Sequence, residues 1–127
     1  MEYIVDDKAL DAREFLALAS AVWPGDYDEE KTARALQRTI NITAREQSRL
    51  VGSLRILTDG CYFGTITELL VLPAYQRQGI GSRLLSLARE HTPTLLYFGA
   101  RPGAEGFYEK SGCARGMQAF QIGAAER

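Results

Sequence analysis

The sequence predicts a mixed α/β fold. Three observations lead there. Apolar residues recur at helical spacing near the N-terminus and again over residues 80–90. Between Asn41 and Leu72 the apolar period falls to two, as in half-buried strands. The last of these strand patterns ends at Pro73, passes through a glycine-bearing loop and enters an amphipathic helix.

Taken in order, Glu2 to Val5 reads as a short strand. Residues 8–22 read as a helix, with Phe15, Leu18, Ala19 and Val22 on one face. Trp23-Pro24-Gly25-Asp26 breaks it. Asp28-Glu29-Glu30 opens a second helix, its acids in the first turn where the helix dipole favours them, with Ala33, Leu36 and Ile40 inward. Ile42 to Arg45, Leu50 to Thr58 and Tyr62 to Leu72 then form an antiparallel meander, punctuated by polar residues 46–49 and by Asp59-Gly60. The helix over 80–90 turns Ile80, Leu84, Leu87 and Ala88 inward and Ser82, Arg83, Ser86, Arg89 and Glu90 outward. A strand at Thr94 to Phe98, a short helix at Ala104 to Lys110 and a last strand near Gln118 to Ile122 complete the order βααβββαβαβ. Residues 66–98 form a strand–helix–strand unit, whose strands should pair in parallel through a right-handed crossover.

Bulk properties narrow the function. At 127 residues, 46% hydrophobic and 24% charged, the chain reads as one domain over 1–127. Fifteen basic against sixteen acidic residues leave no basic excess, which argues against a nucleic-acid partner. No apolar run approaches the roughly 18 residues that span a bilayer. The acidic start Met1 to Asp7 is unlike a signal peptide. A cytoplasmic protein with no membrane partner is expected. One histidine and two distant cysteines, Cys61 and Cys113, offer no metal site, so no metal is expected. Both cysteines read as buried free thiols.

The loop Gln76-Arg77-Gln78-Gly79-Ile80-Gly81 leads into a helix N-terminus, where unpaired amides and the helix dipole attract anions. It is not a Walker A loop, since no Gly-Lys-Ser/Thr follows. Nor is it a dinucleotide fingerprint, since the third glycine would fall at Leu84. Set between a strand ending Val-Leu-Pro and an Ile/Leu-rich helix, it resembles the Q/R-x-x-G-x-G/A element of the GCN5-related N-acetyltransferases, the GNAT superfamily. Phe107-Tyr108-Glu109-Lys110-Ser111-Gly112 is similar to a second segment of that family, and the order of elements matches over nearly the whole chain.

The resemblance implies a mostly antiparallel sheet with a central parallel pair splayed around acetyl-CoA and helices on both faces. It implies that the amides of Arg77, Gln78, Gly79, Ile80, Gly81 and Ser82 hold the pyrophosphate. The pantetheine arm would bond the main chain of Leu70, Val71 and Leu72. Arg77 and Arg83 either meet phosphates or stay solvated. An amine acceptor would attack the thioester directly, because no nucleophilic Ser or Cys elbow is present. Transfer then needs a neutral amine, a donor for the developing oxyanion and a proton for the thiolate. A backbone N–H near Leu72 is the expected oxyanion donor. Tyr108 resembles the family's proton-donating tyrosine. Glu68 is the candidate base or water-orienting group, or else a charge on a covered face; strand alternation puts Glu68, Leu70 and Leu72 together and Thr67, Leu69 and Val71 opposite.

Arg55 either clamps an acceptor carboxylate or pairs with a structural acid. Trp23, Asp26, Tyr27 and Asp28 fall where relatives line the acceptor site; acids there suit a cationic amine, unless they serve as helix caps. His91 reads as a favourable cation at a helix C-terminus. Two departures from the family pattern stand out. Cys113 replaces an aromatic, and the residues after the Tyr108 helix suffice for about one and a half strands, where two are usual. The acceptor side is then either open or completed by a second subunit, in a homodimer. The alternative function is a non-catalytic acyl-CoA-binding or regulatory domain on the same fold.

Overall fold

The computed structural model describes residues 1–125. Local chemistry sets where its helices begin. The Asp11 carboxylate accepts a hydrogen bond from the Glu14 amide at 2.8 Å, and Glu14 accepts in return from the Asp11 amide at 3.1 Å. This capping box starts α1 at Ala12, so it spans Ala12–Val22. The expected start at residue 8 is too early, because the Asp7 carboxylate holds the Ala9 amide in a turn. Asp28 caps α2, Glu29–Leu36, through the Lys31 amide at 3.0 Å.

Four strands follow the order β1 (Glu2–Ile4), β2 (Ile40–Glu46), β3 (Arg49–Thr58) and β4 (Gly64–Val71), each antiparallel to the next. β4 begins later than expected. The Asp59 carboxylate gathers the amides of Cys61, Tyr62 and Phe63 into a turn outside the sheet. Cys61 is therefore exposed rather than buried, while Cys113 is half-buried. One turn of 3-10 helix at Pro73–Tyr75 leads to α3, Ile80–His91, and α4 covers Glu105–Lys110.

One face of the sheet packs Ile42, Leu54, Ile56 and Ile66 against Ile80, Leu84 and Leu87 of α3. The other packs Leu50 and Leu70 against Phe15, Leu18 and Ala19 of α1 and Leu36 of α2. The face assignment within β4 depends on a bulge. Arg55 pairs with Glu68, but the next residue, Ile56, pairs with Ile66, so Thr67 is inserted. Glu68, Leu70 and Leu72 share the α1 side as expected. Continued through Thr67, the alternation would put Ile66 there too; the bulge sends it to α3.

Two expected strands are corrected. Residues 94–98 pair with the main chain of the sheet at a single parallel bridge between Thr65 and Tyr97, with the Tyr97 amide donating to the Gly64 carbonyl at 3.0 Å, and the Thr94 hydroxyl meets that of Thr58 on β3 at 2.8 Å. Residues 118–122 form no strand: they pair with none of the described strands, and Phe120 and Ile122 are 93% and 99% exposed. No helix among the described residues is long and apolar enough to cross a membrane.

On the α1 side a buried charge cluster ties the first strand's exit to the sheet. Arg45 donates to Asp7 at 3.0 Å and to both oxygens of Glu14 at 2.8 Å, and the Thr43 hydroxyl donates to Asp7 at 2.7 Å. Burial alone would raise the Asp7 pKa. The hydrogen bonds from Thr43, Arg45 and the Ala9 amide, with the Arg45 charge, outweigh it and hold the carboxyl below its ordinary range. A folded pKa below the unfolded one contributes stability that is complete above about pH 4 and is lost as pH falls through the folded value. Urea titrations should show that loss on acidification, and Asp7→Asn should flatten it. Arg45→Met, which strands a buried carboxylate, should cost about 3–5 kcal/mol at neutral pH.

Candidate active site

A cavity of about 730 Å³ lies between β4 and residues 98–108, bounded by the start of α3 and the end of α1. Its floor is the bulged strand: Ile66, Thr67, Glu68, Leu69 and Val71 all line it. Main-chain direction decides what that strand offers. The Leu72 amide donates to the Val51 carbonyl at 2.9 Å, and the Leu72 carbonyl accepts from the Tyr75 amide at 2.8 Å. Bonding direction alternates along an antiparallel ladder, so Leu70 also turns its main chain to β3, while Leu69 and Val71 turn theirs to the open edge. Of the three strand residues expected to present backbone, only Val71 does so, and Leu69 joins it. Of the amides near Leu72 from which an oxyanion donor is expected, Leu72's own is engaged by Val51 and that of Val71 is on the open edge. The alternation itself was the signal that would have singled out Leu69 and Val71.

At one end of the cavity stands the loop before α3. Gln76 donates from Nε2 to the Val71 carbonyl at 3.0 Å and Gln78 from Nε2 to the Ala74 carbonyl at 3.3 Å, so both side chains brace the loop. Arg77 and Gly79 have φ of 63° and 85°. That left-handed geometry costs an L residue about 1–2 kcal/mol. α3 has no side-chain cap, and its first bond back to the loop runs from the Arg83 amide to the Gly79 carbonyl at 3.0 Å. The amides of Ile80, Gly81 and Ser82 thus point into the N-terminal opening without an acceptor among the described residues, which is the arrangement that receives an anion. A Cβ on Gly81 would lie 3.2 Å from Phe107 Cζ, so glycine is what lets α4 approach α3 here. Arg83 turns away, toward the Tyr3 ring.

Tyr108 lines the cavity from α4. Its ring packs edge-on against Phe98 and Phe107, each with centroids 5.1 Å away. Burial, and then the neighbouring Cys113, push its phenol pKa above the ordinary value near 10. It therefore stays protonated, and available as a donor, across the neutral range. α4 is held in place by Arg89 of α3, which donates to the Ser111 carbonyl at 3.0 Å, and by the left-handed Gly112 that ends it.

Glu68 and Arg55 meet across β3 and β4. Arg55 donates through Nε to Glu68 Oε2 and through a terminal nitrogen to Oε1 at 2.8 Å; the Thr67 hydroxyl adds a bond to Oε1 at 3.0 Å. Both side chains are largely buried, 14% and 11% exposed, and Arg55 also lies over the Phe15 ring. Arg55 thus holds a carboxylate of the protein itself, the structural alternative. A carboxylate has about four lone-pair sites; with three occupied, one is left, and Glu68 lines the cavity. Trp23 lines the far end, together with Val22 and with Arg101, which the sequence reading did not single out. Asp26 and Asp28 do not line the cavity, and Asp28 is spent as a helix cap. The Tyr27 hydroxyl donates to the Trp23 carbonyl at 2.5 Å and fixes that segment. His91 is exposed at the end of α3. Among the described residues no group of three or more His, Cys, Asp or Glu is placed to hold a metal ion. A double-mutant cycle with Arg55→Met and Glu68→Gln, read by urea unfolding, should give a coupling of about 1–3 kcal/mol.

Comparison with known proteins agrees with this geometry. The acetyltransferase (GNAT) domain model matches residues 37–112, more than half of the chain. The fold superposes on a GNAT-family acetyltransferase from Streptococcus pneumoniae with TM-score 0.69 and 26% identity, covering 94% of this chain and 98% of that one. It also superposes on a probable acetyltransferase from meticillin-resistant Staphylococcus aureus with TM-score 0.76 and 20% identity, covering 95% and 100%. An aminoglycoside 6′-N-acetyltransferase solved with coenzyme A matches with TM-score 0.65 and 19% identity, covering 78% of this chain and 61% of that one. No curated protein sequence matches significantly. With its sheet, braced glycine loop and Tyr108 helix carried on a matching sequence, the chain belongs to the GNAT acetyltransferase family and is an enzyme of the N-acetyltransferase class.

Proposed function

We propose that the chain transfers the acetyl group of acetyl-CoA to an acceptor amine by direct attack. One observation carries the reading: an acceptor-free helix N-terminus, an open strand edge and a half-buried, protonated tyrosine line a single cavity. The coenzyme A held by the aminoglycoside 6′-N-acetyltransferase of like fold supports the choice of cosubstrate. The pyrophosphate meets the amides of Gln78, Gly79, Ile80, Gly81 and Ser82, with Arg77 beside them. The pantetheine amides pair with the main chain of Leu69 and Val71, and β4 and residues 98–101 are splayed around that arm.

The chemistry follows from these positions. The amine nitrogen attacks the thioester carbonyl carbon, and charge develops on the carbonyl oxygen. The Val71 amide, on the open edge, faces that oxygen. The remaining lone-pair site of Glu68 orients the amine, or a water that takes its proton. As the C–S bond breaks, the sulfur keeps the bonding pair and Tyr108 gives it a proton. A homodimer belongs to the same reading, since exposed Met117, Phe120 and Ile122 gain by burial against a second copy.

Coenzyme A release should be followed over a panel of amines. Transfer to at least one amine supports the reading; acetyl-CoA binding with no turnover on any would leave a binding domain. Tyr108→Phe should lower kcat by about 10²-fold. The wild-type rate should fall as pH rises through the raised Tyr108 pKa, because the donor proton is then lost, and the variant should lack that limb. Sedimentation equilibrium should give a dimer, and a Phe120→Asp, Ile122→Asp double variant a monomer.

A further inference from the structure

Charge along the cavity is unevenly compensated. Its lining contains three charged side chains, Glu68, Arg77 and Arg101. Glu68 is matched by Arg55. Neither Arg77 nor Arg101 has an ion-pair partner among the described residues. The two bare guanidinium groups belong to different segments. Arg77 is in the loop before α3, where the proposed pyrophosphate sits. Arg101 lies against Trp23, which closes α1 and packs with the Leu70 and Leu72 side of the sheet.

Arg101 also lies over an aromatic ring. Its Cζ stands 3.9 Å from the centroid of the Trp23 ring. Stacking of this kind uses the face of the guanidinium and leaves its in-plane N–H groups free. Those groups donate no hydrogen bond to the described residues. A flat guanidinium with an open fork matches one partner best, a planar carboxylate bound through both oxygens. Trp23 is itself fixed, by its amide bond to the Ala19 carbonyl at 2.7 Å and by the Tyr27 hydroxyl on its carbonyl. The acids between α1 and α2 that would attract a simple polycation do not line the cavity.

The geometry points to Arg101, stacked on Trp23, as the group that selects the acceptor: it binds a carboxylate carried by the amine, so the acceptor class is amino acids or other amines bearing a nearby carboxylate. This rests on the transfer reaction proposed above. Arg101 is a binding group that takes no part in the bond changes, and it acts on acceptor affinity.

The test is a paired panel: L-amino acids, their α-carboxamides and their decarboxylated amines, assayed for coenzyme A release with wild type, Arg101→Gln and Arg101→Lys. The wild type should favour the carboxylate-bearing member of its best pair at least tenfold in kcat/KM. Arg101→Gln should bring that ratio to about one, by raising KM for the carboxylate acceptor more than it lowers kcat. Arg101→Lys should restore part of the preference, since the charge returns without the fork. Transfer to amines with equal or better use of the carboxamides, or an unchanged ratio in Arg101→Gln, overturns this inference and leaves the transferase reading standing. Absence of transfer to every amine, with acetyl-CoA still bound, overturns both.

Discussion

One inserted residue governs the layout of the site. Thr67 lies between Glu68, which faces Arg55, and Ile66, which faces Ile56. Without it, every second side chain of β4 would share a face from Gly64 to Leu72. With it, Ile66 enters the α3 core, while Glu68 stays with Leu70 on the α1 side and reaches a guanidinium. The bulge also bends β4. The chain on its other side, at Tyr97, meets it through one bridge and then borders the cavity. Floor, wall and buried ion pair thus share a single irregularity.

Around that floor, rigidity is supplied by polar contacts at particular points. Gln76 and Gln78 pin the loop to main-chain carbonyls, which keeps the first amides of α3 free of protein acceptors. Arg89 fastens α4 to α3 and so sets where Tyr108 stands. The aromatic contacts of Tyr108 give its phenol a dry side, which is the physical source of its raised pKa. Donors fixed before the substrate arrives need little reorganisation during reaction, and this is where electrostatic catalysis gains most.

The parts legible in the sequence were those set by local pattern. The α3 face rests on spacing within one element, and Ile80, Leu84, Leu87 and Ala88 are buried as their period requires, whereas the glycine loop and Tyr108 are singled out by their resemblance to family segments. The Asp11–Glu14 capping box, an acid three residues before a glutamate, is a local signal that the expected helix start at residue 8 passes over. Glu68 and Arg55 were each noticeable, but their pairing is a matter of strand register, thirteen residues apart through a bulge that no alternation reveals. Arg101 gave no local signal at all, because its meaning comes from Trp23, which is distant in sequence. The strand expected at 118–122 had a suitable composition, but a strand needs a neighbour, and none of the described strands takes that place.

The central claim is that this cavity is where acetyl-CoA binds and reacts. A crystal structure of the protein with coenzyme A tests it most directly. The account requires pyrophosphate oxygens within hydrogen-bond reach of the amides from Gln78 to Ser82, the pantetheine amides on Leu69 and Val71, and the sulfur beside the Tyr108 hydroxyl. Coenzyme A bound away from the loop, or with its sulfur out of reach of Tyr108, would contradict it.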